Sequence, residues 1–182
     1  MRDERLCDLG IESLVCPAGS SESEIALFEA LLETSLPLEY RQFLGRYGAS
    51  DFNQNVCYVL PSESGPRGQA LDRAPFGEFY GFRHSLLDIV KASRRYRGRL
   101  RPGLVPIART PCGDLFCIAV RGHNVGTVYY WDHEREGLGN DPVQSGSLRE
   151  VASTFSGFLG LLYIEPEPDY VHPIATSYEL PE

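Results

Sequence analysis

The chain has 182 residues and a mass of 20.3 kDa, and is 42% hydrophobic and 23% charged, which excludes a wholly disordered chain, a collagen and a coiled coil. Its length predicts one domain, able to bury about 70% of its unfolded surface without a disulfide or metal staple. A net charge of −8 and a pI near 5.0 argue against a nucleic-acid binder, which is more often basic, and no apolar run approaches the roughly 18 residues of a membrane span.

Residues 1–20 read as a leading segment that ends in the loop Cys16-Pro17-Ala18-Gly19-Ser20-Ser21. Met1-Arg2-Asp3-Glu4-Arg5 lacks the apolar core of a signal peptide, so a cytoplasmic location is expected. Ser21 and Glu24 have capping-box spacing. The helix they start carries Ile25, Phe28, Leu31 and Leu32 on one face. A second helix begins near Pro37, with Ser35 as a candidate cap, and its stripe is Leu36, Tyr40, Phe43, Leu44 and Tyr47. Gly48 suits its end.

Val56 to Leu60 reads as a strand ended by Pro61, and residues 61–81 as a long Gly- and Pro-rich loop. Ser85 to Tyr96 reads as a helix with Leu86, Ile89, Val90 and Ser93 on one side. Three strands follow, Leu104–Ala108, Leu115–Val120 and Thr127–Trp131, joined by turns at Pro111-Cys112-Gly113-Asp114 and Gly122-His123-Asn124. Turns this short predict an antiparallel meander, and Pro106 places the first strand at an edge. Residues 132–146 read as an acidic loop. Ser147 to Leu162 reads as a closing helix with Leu148, Val151, Phe155, Phe158, Leu159 and Leu162 toward the sheet. The proline-rich tail from Glu165 cannot continue that helix. The fold class expected is α+β, a largely antiparallel central sheet packed by helices, with a core over about 24–163 and a Pro-rich acidic tail over 164–182.

Several arrangements bear on chemistry. Cys112 lies in a turn, with His123 and Asp132 downstream, so a small cysteine hydrolase is one reading; ordinary turn and sheet residues are the plainer one. Cys112, Cys117, His123 and His133 are four ligand types, but their spacing does not match paired zinc ligands. The five cysteines contain no Cys-x-x-Cys pair and read as reduced thiols. No Gly-x-Gly-x-x-Gly or Walker loop occurs, and Gly137-Leu138-Gly139 sits in acidic surroundings that repel phosphate. No cofactor and no metal are called for, and no catalytic residue is assigned.

Charge is unevenly spread. Residues 83–121 carry nine basic and two acidic side chains, whereas residues 122–182 carry two basic and ten acidic. Arg94, Arg95, Arg97, Arg99 and Arg101 cluster beside Tyr96. Such a cluster can contact phosphates. The plainer reading is a solvated helix end, where cations complement the helix dipole, or pairing with the chain's own acidic loops. Asp132-His133-Glu134-Arg135-Glu136 reads as a solvated loop or a partner surface, with acid–base work well behind both.

Several of these segments together resemble the SUKH superfamily, the group that includes the yeast cell-wall-synthesis regulator family. The resemblance rests on Leu36-Pro37-Leu38-Glu39-Tyr40 with Phe43-Leu44 and Tyr47-Gly48, on Val105-Pro106-Ile107-Ala108 followed by Gly113-Asp114, and on Gly126-Thr127-Val128-Tyr129-Tyr130-Trp131-Asp132-His133-Glu134. Val151-Ala152-Ser153-Thr154-Phe155 with Phe158-Leu159 resembles the family's closing helix. Tyr47-Gly48-Ala49 departs from the family's Asn-Gly-Gly-like turn, and residues 61–81 and 164–182 have no counterpart.

The resemblance implies an α+β domain without catalytic residues, and many bacterial members are immunity proteins that neutralise a cognate toxin, frequently a nuclease. The expectation is a cytoplasmic, non-enzymatic immunity protein that binds a basic toxin domain, with no membrane partner and no direct nucleic-acid binding. Carboxylates would steer such a partner. The candidate contact residues are Asp132, Glu134, Glu136 and Asp141, with Tyr130 and Trp131 as aromatic anchors. Strand alternation is expected to bury one of those two rings. The alternatives are a regulatory or scaffolding module of the same fold, and the Cys112 hydrolase.

Overall fold

The computed structural model describes residues 4–60, 72–135 and 147–166. In chain order they form α1 (Glu4–Asp8), β1 (Ile11–Ser13), α2 (Glu22–Leu32), α3 (Leu38–Tyr47), β2 (Ser50–Phe52), β3 (Val56–Leu60), β4 (Asp72–Pro75), α4 (Ile89–Arg95), β5 (Leu104–Arg109), β6 (Leu115–Ala119), β7 (Val128–Trp131), β8 (Leu148–Ala152), α5 (Phe155–Leu159) and β9 (Leu162–Ile164). The architecture is α+β. No helix among the described residues is long and apolar enough to cross a membrane.

Local chemistry accounts for the helices of the first half. Ser21 N–H donates to Glu24 Oε2 at 2.8 Å and Glu24 N–H to Ser21 Oγ at 3.3 Å, so the capping box forms as its spacing predicts. Ile25 and Phe28 are buried, whereas Leu31 stays exposed and Leu32 is half-buried. Pro37 occupies the cap position of α3 without a side-chain bond, so Ser35 is not the cap. Tyr40, Phe43 and Leu44 enter the core, and Gly48 ends the helix at φ 61°.

The central ladder is antiparallel in the order β5-β6-β7-β8. β5 ends it, as Pro106 suggests, and the register shifts between Pro106 and Ala108. The segment 78–80 runs along its outer side, with Tyr80 N–H donating to Ile107 O and Arg109 N–H to Glu78 O. Phe79 bridges Ser50 and Ala108 and so joins the short pair β1–β2 to the ladder. A second antiparallel set has the order β4-β3-β9.

The closing segment differs from its expectation. Leu148 and Val151 stand three apart, as on a helix, yet residues 148–152 pair with β7, Leu148 opposite Trp131 and Arg149 opposite Tyr130. Thr154 then caps the five-residue α5, its side chain accepting from Gly157 N–H at 3.0 Å. Free backbone on the β7 edge outweighs the helical spacing, because a strand there satisfies both chains' peptide groups. Two other expectations shift. The helix read from Ser85 starts at Ile89, capped by Asp88, and leaves Leu86 73% exposed. Strand β4 occupies part of the 61–81 loop, whose residues 61–71 lie outside the described ones.

One apolar core runs from Leu6 to Leu162. Its centre is aromatic: Phe43–Phe79, Phe116–Phe158 and Tyr58–Phe116 have ring centroids 4.6, 4.8 and 4.9 Å apart. The ladder is covered on both faces. Phe116 and Tyr130 face β3 and α5, and Trp131 on the opposite face meets Tyr96 at 5.7 Å. Every residue of β6 and β7 is therefore buried.

Candidate functional site

The turn between β5 and β6 presents a buried carboxylate to the end of β7. Gly113 takes φ 99°, a left-handed value that favours glycine. Thr110 N–H donates to Asp114 O at 2.9 Å and Asp114 N–H to Thr110 Oγ1 at 3.1 Å. So held, Asp114 Oδ2 accepts from the Tyr130 hydroxyl at 2.5 Å. Asp114 Oδ1 accepts from His133 N–H at 3.2 Å and lies 2.7 Å from His133 Nδ1. Burial works against the Asp114 carboxylate, but the bonds from Tyr130 and His133 outweigh it and hold its pKa below the ordinary value. The bond to Asp114 raises the pKa of His133. Burial and the same carboxylate push the Tyr130 hydroxyl far up.

Asp132 caps the short turn His133–Arg135: its Oδ1 accepts from Glu134 N–H at 3.0 Å and Arg135 N–H at 3.3 Å, and its Oδ2 faces Arg135 Nε at 3.3 Å. Asp114, Asp132 and His133 bring donor atoms within 4.8 Å of one another. Both Asp114 oxygens and Asp132 Oδ1 already accept protein hydrogen bonds, so the cluster reads as an internally satisfied knot.

Beside this corner lies a groove of about 650 Å³ between the 76–80 segment and α4, reaching Gly113 at one end. Asp51, Glu78, Asp88, Lys91, Arg95 and Arg109 line it. Arg109 forks onto Glu78 through Nε at 2.8 Å and Nη2 at 2.9 Å, which lowers the Glu78 pKa from its ordinary value. Burial, with the Glu78 charge also against it, raises Asp51, though Phe52 N–H donates to it. Sequence reasoning missed this groove. Glu78 and Arg109 are 31 residues apart, and only the Phe79 bridge sets them side by side.

The residues expected to contact a partner divide into three groups. Glu134 is exposed, and Asp132 is half-buried and committed to its turn. Glu136 and Asp141 lie outside the described residues, as does Gly137-Leu138-Gly139. Tyr130 and Trp131 are 9% and 1% exposed, so both rings are inside and neither offers a surface anchor. Alternation fails to expose one because the ladder is covered on both faces.

The Cys112, His123 and Asp132 constellation is not assembled. Cys112 and Asp132 sit at one end of β6 and His123 beyond the other, and five residues of strand separate them by about 17 Å. The same separation divides the four-ligand set, and Cys117 is fully buried within β6, where burial raises its thiol pKa. Two members of the arginine cluster pack on aromatic rings: Arg99 lies 5.3 Å from the Tyr96 ring centroid and 5.1 Å from that of Trp131, and Arg101 lies 5.2 Å from that of Tyr129.

Against known proteins, the model of the SMI1 / KNR4 family (SUKH-1) matches residues 19–160. The chain is also similar to the SPbeta prophage-derived uncharacterized protein YokK of Bacillus subtilis (strain 168), at 25% identity over 174 residues, covering 90% of this chain and 85% of that protein.

Proposed function

The chain belongs to the SMI1 / KNR4 family (SUKH-1), and from that premise we propose that it is an immunity protein that binds a cognate bacterial toxin domain stoichiometrically and neutralises it. The family match over residues 19–160 is the observation that carries this reading, since the family implies protein–protein interaction and is generally non-enzymatic, immune or regulatory. The surface we assign to the toxin is the groove beside Glu78 and Arg109 with the adjoining Asp132–Glu134 corner. A concave, polar, mixed-charge groove suits an inserted loop of a partner, and the exposed Glu134 carboxylate adds attraction for a basic one. Neutralisation follows from occlusion or from locking the toxin in an inactive shape, without turnover.

The test is co-expression with the product of a neighbouring toxin gene. A one-to-one complex and rescue of growth are expected. A complex without rescue points to the regulatory or scaffolding reading, and steady turnover of a substrate, lost in Cys112→Ala, overturns both binding readings. Reversal of Glu134 and Glu136 to Lys is expected to slow association, more at low salt than at high. An unchanged association rate at low salt removes the acidic corner from the interface.

A further inference from the structure

We propose that the arginine-rich surface around the α4–β5 connection is a second docking surface, one that takes an acidic polypeptide segment of a partner protein. It stands on observations separate from the toxin reading.

From Ile89 to Gly113 the chain holds seven basic side chains and no carboxylate. Of that stretch Arg109 meets Glu78, and outside it Arg41, Arg83, Arg121 and Arg135 each meet a described carboxylate. Among the described residues no carboxylate lies within ion-pair distance of Arg94, Arg95, Arg97 or Arg101, although Arg94, Arg95 and Arg97 are all exposed. Five guanidinium groups within eight residues repel one another. Arg94, Arg95 and Arg97 are exposed with no described carboxylate beside them, so this stretch gains most when an anionic partner arrives.

The surface is also built in advance. The connection is pinned by Arg97 N–H to Arg94 O at 3.3 Å, Arg99 N–H to Tyr96 O at 3.0 Å and Leu104 N–H to Arg101 O at 3.2 Å. Packing of Arg101 on the Tyr129 ring restricts its rotamers while its N–H groups remain available to a carboxylate. A hollow of about 310 Å³ continues the surface between residues 101–104 and 119–124. Arg101, Arg121, His123 and Asn124 line it, with no acidic side chain. The chemistry offered is therefore forked N–H donors for planar oxyanions.

A short acidic segment fits better than a long polyanion. The strip is bounded by the chain's own carboxylates, with Asp88, Glu78 and Asp51 in the groove at the Arg95 end and Glu33 beside Arg121 at the other. The chain as a whole carries −8. A nucleic acid running past the strip would meet repulsion on both sides, whereas a few carboxylates would not.

The experiment titrates the full chain with a labelled Glu-Gly repeat peptide carrying six carboxylates, and separately with a single-stranded oligothymidylate of equal charge. Anisotropy reports binding. The emission of Trp131, the sole tryptophan, packed under Arg99, reports occupancy of this site. At low salt the peptide is expected to saturate and to shift Trp131 emission. The double variant Arg94→Glu with Arg97→Glu should weaken binding about tenfold or more, with unchanged thermal unfolding because both positions are exposed. Arg101→Lys, which keeps the charge and loses the fork, should weaken it about threefold. No peptide binding at low salt, binding indifferent to the double reversal, or tighter binding of the oligothymidylate would each overturn the proposal.

Discussion

Replacing Tyr130 by Phe and His133 by Gln should damage the Asp114 knot in two distinguishable ways. Tyr130→Phe removes a 2.5 Å bond to a carboxylate that is itself 9% exposed. Hydrogen bonds to charged groups contribute about 1.5–3 kcal/mol, so the variant should lose about that much stability. The loss should be equal at pH 5.5 and 8.5, because Tyr130 ionises far above this range. His133→Gln keeps the backbone bond to Asp114 and loses only the imidazolium–carboxylate pair. The His133 side chain is 37% exposed, so solvent screens the pair and about 0.2–1 kcal/mol is at stake.

The sign of its pH dependence follows from linkage. The folded pKa of His133 is raised above 6.5, so its contribution is full below 6.5 and fades as pH rises through the raised value. The folded pKa of Asp114 is lowered below 3.8, so its contribution is present above 3.8 and is lost as pH falls through the lowered value. The pair therefore stabilises most between 3.8 and 6.5. Urea unfolding followed by Trp131 emission measures this directly, since that residue is 1% exposed when folded. His133→Gln should lose stability at pH 5.5 and little at pH 8.5. An equal loss at both, or a larger one at pH 8.5, refutes the ionic account of the knot.

Gly81→Ala should destabilise by about 1–3 kcal/mol in thermal unfolding, because its Cβ would stand 2.0 Å from Ala49 N and 2.4 Å from Gly48 C, and neither backbone can yield. A transition unchanged from wild type would mean that the Gly81 and Ala49 backbones do not approach so closely. Ser21→Ala should cost about 1 kcal/mol by the same measurement, and Ser21→Asp should cost far less, since Asp caps as well as Ser. Equal losses would locate the role of Ser21 outside the cap.

The capping box at Ser21 and Glu24, the stripe of α3, strand β3 and the meander β5–β7 were all legible in the sequence. Each depends on contacts within a few residues or on short turns, and local spacing records such contacts. Strands β1, β2 and β9 have three residues each, too few to show a period, and exist through partners far away in the chain. The candidate site was half legible. Asp132 and Glu134 stood out by charge, whereas the Asp114–Tyr130–His133 knot closes across 16 and 19 residues of separation.

The α+β class, the meander, the one-sided charge distribution and the arginine cluster are all readable from the residues in order, because composition and short-range periodicity carry those properties. That Leu148–Ala152 is a strand, that both Tyr130 and Trp131 are buried, and that Glu78 and Arg109 line one groove emerges from the folded chain alone. In each case the deciding energy comes from a distant partner. An unpaired strand edge, a second covering layer and a bridging phenylalanine are long-range facts, and no window of neighbouring residues contains them.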